Sequence, residues 1–176
     1  MGKTLILIRH GKSDWSDGGE KDFDRGLNQR GNMDAPRMGG KLKEMGIMPD
    51  LIVSSPALRT TLTTEYICEQ IKYPFENVDF QEDIYEASVR TLLKVVNELN
   101  DDHNTVVIVG HNPGFTYLAE YLTGNEIGNI PTCGIVELSI ELDKWEMVSQ
   151  HTAQVKSFIY PKMFFGGGGD KVESEL

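Results

Sequence analysis

Two histidines of the chain directly follow apolar runs, at points where buried strands are expected to end. His10 comes after Arg9 in "LILIRHGKS", and His111 comes after Gly110 in "TVVIVGHNPG". A third apolar run, "LIVSSPALRT", leads through two serines to Arg59. Arginine stays charged and binds phosphate oxygens through a planar, two-pronged fork, whereas a neutral imidazole can act as a nucleophile. These residue types together predict a pocket for a dianion that contains at least one potential nucleophile.

The elements that must position these residues alternate between strand and helix. The continuous apolar runs at residues 4–9, 51–55 and 105–109 are typical of strands buried on both faces, which occur in parallel sheets covered by helices. Segments with helical spacing of apolar residues lie between them. We therefore predict a three-layer α/β/α sandwich with a mostly parallel central sheet. Open sheets of this kind bind ligands at the carboxyl ends of their strands, so the three segments are expected to converge.

Caps and periodicity predict the limits of several elements. Asp34 is expected to cap the first helix, Ser55 the second and Ser88 the third. Apolar and polar residues alternate from 135 to 142, which predicts a half-exposed strand at the sheet edge. A last strand is expected at 154–159.

The composition bounds the size and the partners of the protein. With 176 residues, one domain at 1–162 is expected, followed by a flexible glycine-rich acidic tail at 163–176. The formal net charge of -10 argues against broad electrostatic binding of nucleic acid or of an anionic membrane. We expect a monomer that binds an anion only in a local pocket.

The cysteines and the N-terminus indicate a compartment. Cys68 and Cys133 lack the close spacing of a metal or redox pair and are expected to be small buried hydrophobic residues. The first apolar run is too short for a signal peptide or a spanning helix. We therefore expect a cytoplasmic protein with reduced thiols and no membrane association.

Four motifs in this order, "RHG", "SPALRT", "YEAS" and "VGHNPG", resemble the histidine phosphatase superfamily, which has the phosphoglycerate mutase-like fold. The short length, "DAPRMG" and "VGHNPG" are most similar to its SixA-like phosphohistidine phosphatase branch. The resemblance covers about residues 3–160.

The resemblance implies that His10 is the nucleophile that becomes phosphorylated. The residues that it implies for binding the phosphoryl group are Arg9, Arg25, Arg59 and His111. It also implies that Glu86 is the general acid, although Glu82 and Asp83 lie close to it in sequence. Gly11 is expected to leave room for phosphoryl oxygens near the backbone, with a simple turn glycine as the alternative.

The chemistry expected of these residues requires no metal and no cofactor. His10 would attack while neutral, with its other ring nitrogen bonded to a backbone carbonyl near Gly11. Water would then hydrolyse the phosphohistidine, while fixed cations neutralise the charge on the phosphoryl oxygens. The sequence contains no HExxH motif, no paired cysteines and no calcium loop.

Three functions are compatible with this set of residues. The first is a phosphatase for phosphohistidine on a signalling protein of the histidine-containing phosphotransfer type. The second is a phosphatase or mutase that acts on a small phosphomonoester. The third is a phosphate-binding module without turnover, because the same cations would bind the anion in either case.

Overall fold

The computed structural model describes residues 2–15 and 21–166, and within these ranges six strands form one sheet. The strands are β1 (Lys3–Arg9), β2 (Leu51–Ser54), β3 (Asp79–Phe80), β4 (Thr105–Gly110), β5 (Ile135–Ile140) and β6 (Ala153–Ile159). The helices are α1 (Gln29–Glu44), α2 (Leu58–Ile71), α3 (Val89–Asn97), α4 (Gly114–Thr123) and α5 (Lys162–Phe165). Short 3₁₀ helices cover Asp22–Asp24, Phe75–Asn77, Glu82–Ile84 and Trp145–Met147.

The sheet has the strand order β3-β2-β4-β1-β5-β6. Strands β3, β2, β4 and β1 pair in parallel, whereas β5 and β6 pair in antiparallel fashion. The predicted α/β sandwich with a mostly parallel sheet is therefore confirmed. Strand β1 lies inside the sheet, between β4 and β5, so the "RHG" motif begins at the last residue of a strand with neighbours on both sides.

Both faces of β1 are covered, as the continuous apolar run predicted. Leu5 and Leu7 belong to one apolar cluster, which also contains Phe115 of α4. Ile6 and Ile8 belong to the other cluster, on the opposite face of the sheet, together with residues of α1 and α2. Since all four β1 side chains are fully buried, the strand holds the residues after it in a fixed place.

Helix α1 begins earlier than Asp34, so the predicted start was wrong. Asn28 is the N-cap, and its side chain accepts a hydrogen bond from the backbone N–H of Gly31 at 2.9 Å. Asp34 lies inside the helix, where its carboxylate accepts a hydrogen bond from Nε of Arg30 at 3.1 Å. An asparagine cap needs only a donor three residues later, and the polar start of α1 concealed that signal.

Helix α2 also begins after its predicted cap. Ala57 is the N-cap residue, and the side chain of Ser55 instead accepts a hydrogen bond from the backbone N–H of Ala57 at 3.3 Å. The prediction for α3 is confirmed, because the hydroxyl of Ser88 accepts a hydrogen bond from the backbone N–H of Thr91.

Strand β5 is not at the sheet edge, contrary to the alternation of its sequence. It lies between β1 and β6, and Glu137 is buried rather than solvated. The carboxylate of Glu137 accepts a hydrogen bond from Oγ of Ser157 at 3.0 Å and lies 3.7 Å from Nζ of Lys156. Side chains of the edge strand β6 thus cover Glu137, which the alternating pattern predicted to be exposed to solvent.

The predicted tail begins with a helical turn. Helix α5 spans Lys162–Phe165, and Phe165 packs against the apolar cluster beside α1. The rest of the predicted tail, 167–176, lies outside the described residues. No helix in the described part of the chain is long and apolar enough to cross a membrane.

The segment after β1 leaves and rejoins the fold at one place. Lys12 accepts a backbone hydrogen bond from Asn28, and Asp14 donates one to Gly26, each at 2.9 Å. Ser13 and Leu27 form an antiparallel bridge between these two bonds. The two ends of the segment are therefore fixed to each other beside the end of β1.

Candidate active site

The carboxyl ends of β1, β2 and β4 meet, as the sequence predicted. Arg9 pairs with Gly110 across the parallel strands, so His10 and His111 follow at the same level of the sheet. Their ring centroids lie 5.3 Å apart. One pocket is lined by Arg9, His10, Arg25, Arg59, Glu86 and His111.

His10 is buried and has a defined hydrogen-bond partner. Its Nδ1 lies 2.7 Å from the carbonyl oxygen of Gly11. Since a carbonyl only accepts, Nδ1 carries the proton and the lone pair of the neutral ring is on Nε2. Burial lowers the pKa of His10 well below its ordinary value, and the electrostatic interactions with His111, Arg59 and Arg9 lower it further, against the opposing hydrogen bond to Gly11. A neutral imidazole with a free lone pair is the form that attacks phosphorus.

His111 faces the same pocket from the end of β4. Its Nε2 lies 2.8 Å from Oγ of Ser55, and its buried Nδ1 has no hydrogen-bond partner among the described residues. Burial, followed by the charge of Arg59, lowers the pKa of His111 to about 3. The second ring is thus also neutral, and Nδ1 remains for a ligand.

Two buried arginines extend into the pocket from β1 and α2. Nη1 of Arg9 donates to the carbonyl oxygen of Ile130 at 2.9 Å. Arg59, in the first turn of α2, donates from Nη1 and Nη2 to Asp22, while its buried Nε has no hydrogen-bond partner in the described ranges. Hydrogen bonds to the protein thus hold both guanidinium groups at the pocket.

Arg25 enters the pocket from the segment after β1. Its Nη1 donates to the hydroxyl of Ser13 and its Nη2 to the carboxylate of Asp22, and the guanidinium carbon lies 3.5 Å from the ring centroid of Trp15. The placement of Arg25 in the pocket therefore depends on side chains of its own segment.

Glu86 lies at the exposed mouth of the pocket. Its backbone is left-handed, with φ of 49°, which directs the chain sharply after Tyr85. The ring of Tyr85, the residue before Glu86, packs edge to face against that of Phe23, with centroids 5.3 Å apart.

Gly11 has a packing role that the sequence did not reveal. A Cβ at this position would lie 3.2 Å from Leu27, Gly31 and Cys133. The backbone N–H of Gly11 donates to Oγ1 of Thr63 at 2.9 Å. These contacts give Gly11 a packing reason to lack a side chain, and its role beside phosphoryl oxygens stays a prediction.

Two residues of the site were missed in the sequence. Asp22 contacts both Arg25 and Arg59, and Ser55 is the hydrogen-bond partner of His111. The signal for Asp22 is its position three residues before Arg25, but such pairs are common on exposed surfaces. Among residues 2–15 and 21–166, no group of three or more His, Cys, Asp or Glu side chains is arranged to hold a metal ion.

The sequence of this chain is similar to those of a known protein family. The family model described as histidine phosphatase superfamily (branch 1) matches residues 5–89. An uncharacterised chloroplastic protein of Arabidopsis thaliana is 31% identical over 154 residues, which are 83% of this chain and 70% of that protein.

One solved structure and one further relative are similar to the chain over different lengths. The structure of the putative phosphohistidine phosphatase SixA from Agrobacterium tumefaciens has 27% identity and a TM-score of 0.76, and the match covers 92% of this chain and 99% of that one. The 2,3-bisphosphoglycerate-dependent phosphoglycerate mutase of Bartonella tribocorum is 41% identical over 75 residues, only 40% of this chain and 35% of the mutase.

Proposed function

Because this chain belongs to the histidine phosphatase superfamily and is a phosphatase, we propose that it acts through a phosphohistidine formed on His10. The observation that carries this proposal is the hydrogen bond from Nδ1 of His10 to Gly11, which leaves Nε2 unprotonated beside Arg9, Arg59 and His111. This arrangement supplies a nucleophile together with the charges that phosphoryl transfer requires.

The first step transfers the phosphoryl group to the enzyme. Nε2 of His10 forms a bond to phosphorus, and the bond from phosphorus to the substrate nitrogen or oxygen breaks. Arg9, Arg25 and Arg59 neutralise the phosphoryl oxygens, and His111 donates a hydrogen bond to one of them from Nδ1. Glu86 at the pocket mouth supplies the proton that the leaving group needs, a role that His111 fills in the alternative assignment.

The second step regenerates the enzyme. Water attacks phosphorus, the bond from phosphorus to Nε2 breaks, and inorganic phosphate leaves. The proton that water loses goes to the group that protonated the leaving group in the first step, by microscopic reversibility. All groups in this mechanism belong to the chain itself, so the proposed reaction uses no metal and no cofactor.

We propose phosphohistidine on a signalling protein as the substrate. Supporting this, the chain between α2 and α3 contains only short 3₁₀ helices and the two-residue strand β3, so it adds no long cover to the pocket mouth. In addition, the putative phosphohistidine phosphatase SixA from Agrobacterium tumefaciens is similar to this chain over nearly its whole length. The partial match to a mutase keeps a small phosphomonoester as the second candidate.

The test uses a phosphorylated histidine-containing phosphotransfer domain and, separately, p-nitrophenyl phosphate. The reactions are quenched within one turnover, and peptide mapping locates acid-labile phosphate. We expect phosphate on His10, and faster turnover of the protein substrate. His10→Ala should lose turnover by at least about 10³-fold, whereas His103→Ala, outside the pocket, serves as the matched control. Turnover that survives His10→Ala would contradict the mechanism.

The proposal also includes the oligomeric state, the domain organisation and the location of the protein. We propose a monomeric enzyme with one catalytic domain at residues 1–162 that acts in the cytoplasm, where Cys68 and Cys133, both buried free thiols, stay reduced. Size-exclusion chromatography with light scattering tests the monomer, and activity that is unchanged by EDTA tests the metal-free mechanism.

A further inference from the structure

We propose that Asp22 is a positioning residue, whose carboxylate holds Arg25 and Arg59 in the orientation that phosphoryl transfer requires. This inference rests on the proposed function, because it assigns a role in the same reaction. Asp22 lies on the 3₁₀ helix Asp22–Asp24, in the segment between β1 and α1.

The contacts of Asp22 link two elements that carry arginines. Its Oδ1 accepts from Nη2 of Arg25 at 2.7 Å, and its Oδ2 accepts from Nη2 of Arg59 at 3.0 Å. The backbone carbonyl of Asp22 accepts from Nη1 of Arg59 at 2.7 Å. Both terminal nitrogens of Arg59 are therefore held by one residue, which fixes the plane of the guanidinium.

The Nε atoms of Arg25 and Arg59 are the donors of these two arginines that remain for a ligand. Nε of Arg25 and Nε of Arg59 are buried, and neither has a hydrogen-bond partner in the described part of the chain. Buried N–H donors are nearly always satisfied in proteins, and both arginines line the pocket. Asp22 thus occupies both terminal nitrogens of Arg59 and, with Ser13 at Nη1, those of Arg25, which leaves the Nε atom of each guanidinium for phosphoryl oxygens.

A tyrosine completes the set of donors around this carboxylate. The hydroxyl of Tyr85 donates to Oδ2 of Asp22 at 2.5 Å, and the Tyr85 ring packs edge to face against His111 with centroids 5.4 Å apart. Burial alone would raise the pKa of Asp22, but the hydrogen bonds from Arg25 and Tyr85 and the charge of Arg59 lower it far below its ordinary value. Asp22 is therefore an ionised acceptor in this arrangement and not a proton donor.

The charge of Asp22 has opposite effects on two quantities. It stabilises arginines that repel each other, and so keeps them placed for the transition state. It also repels the phosphate anion that binds in the ground state. Removal of the carboxylate is therefore expected to lower kcat while phosphate binds no more weakly, a combination that a loss of folding would not give.

The experiment compares Asp22→Ala and Asp22→Asn with Asp24→Asn, an exposed acidic residue on the same 3₁₀ helix. Steady-state kinetics with p-nitrophenyl phosphate give kcat and KM, and competition gives Ki for inorganic phosphate. We expect kcat to fall about 10- to 100-fold in Asp22→Ala and less in Asp22→Asn, with Ki for phosphate unchanged or lower. Asp24→Asn should retain wild-type kcat within about twofold, and thermal melting confirms that each variant is folded.

Three outcomes would overturn this inference, and they differ in whether the proposed function is overturned with it. Wild-type protein that forms no phosphohistidine on His10 overturns the proposed function and the inference together. If the wild type is active and a folded Asp22→Asn or Asp22→Ala variant has the same kcat, the inference alone is overturned. A rise in kcat/KM with tighter phosphate binding also overturns it, because that result would mean that Asp22 competes with the substrate for the arginines. If Asp22→Ala does not fold, the isosteric Asp22→Asn decides the question.

Discussion

Acidification is expected to destabilise the fold through the buried histidines, and the effect of His111 can be worked out. Its pKa is about 3 in the folded protein, against an ordinary value of 6.5. The unfolded chain therefore binds a proton before the folded one does, so the stability contributed by neutral His111 is present above pH 6.5 and is lost as the pH falls below it.

The size of the loss follows from the pKa difference. Each pH unit between the two pKa values removes about 1.4 kcal/mol, so a change from pH 7.5 to pH 5 removes about 2 kcal/mol through His111 alone. His10 acts in the same direction, because burial and the neighbouring charges also lower its pKa. Asp22 does not contribute in this window, since its lowered pKa matters only below its ordinary value of 3.8.

The assay is urea unfolding at about pH 7.5 and about pH 5. Tryptophan fluorescence monitors the transition, and the fully buried Trp145 is a suitable probe. The free energy of unfolding of the wild type should fall by about 2 kcal/mol more than that of His111→Gln, which lacks the titrating ring. His103→Gln, with a histidine outside the pocket, should follow the wild type. Equal losses in the wild type and His111→Gln would refute the reasoning, because His111 would then be protonated in the folded protein at pH 5.

Four further substitutions test the fold and the mouth of the pocket. Gly40→Ala should raise the free energy of unfolding by about 0.5–1 kcal/mol, because a Cβ on this helical residue meets only Oε1 of Gln70 at 4.0 Å. Gly31→Ala in the same helix should lower it by about 1–3 kcal/mol, because the Cβ would overlap the carbonyl oxygen of Lys12; thermal or urea melts measure both. Asn28→Ala should cost about 1 kcal/mol in the same assay through loss of the cap on α1. Glu86→Gln should lower kcat by about 10²-fold for an alkyl phosphate and by less than about threefold for p-nitrophenyl phosphate, whose leaving group needs little protonation; equal losses would contradict a general acid at this position.

The sequence predicted the sheet and its active edge because both depend on local patterns. Continuous apolar runs identify strands buried on both faces, and parallel strands bring their carboxyl ends to one edge. Arg9, His10, Arg59 and His111 follow such runs within a few residues, so their convergence required no knowledge of the loops. Their chemical roles remain predictions.

The features that the sequence did not predict depend on contacts between distant segments. Glu137 alternates like an exposed residue, yet Ser157 and Lys156 of the neighbouring strand cover it. Asp22 resembles any solvated acid until the first turn of α2 brings Arg59 to it, 37 positions along the chain. Neither contact has a periodic signal, because each depends on which element the fold places alongside.

Two backbone hydrogen bonds close the base of the segment after β1, and they determine which changes of sequence reach the histidines. Lys12 and Asn28 are joined by one hydrogen bond, and Asp14 and Gly26 by another, so the chain between them starts and ends at a closed base. Residues added or removed between Asp14 and Asp22 are therefore expected to leave the positions of His10 and His111 in the sheet unaltered. We therefore expect a change of length before Asp22 to leave the proposed nucleophile in place, whereas a change at Asp22 or Arg25 alters the arginines of the pocket.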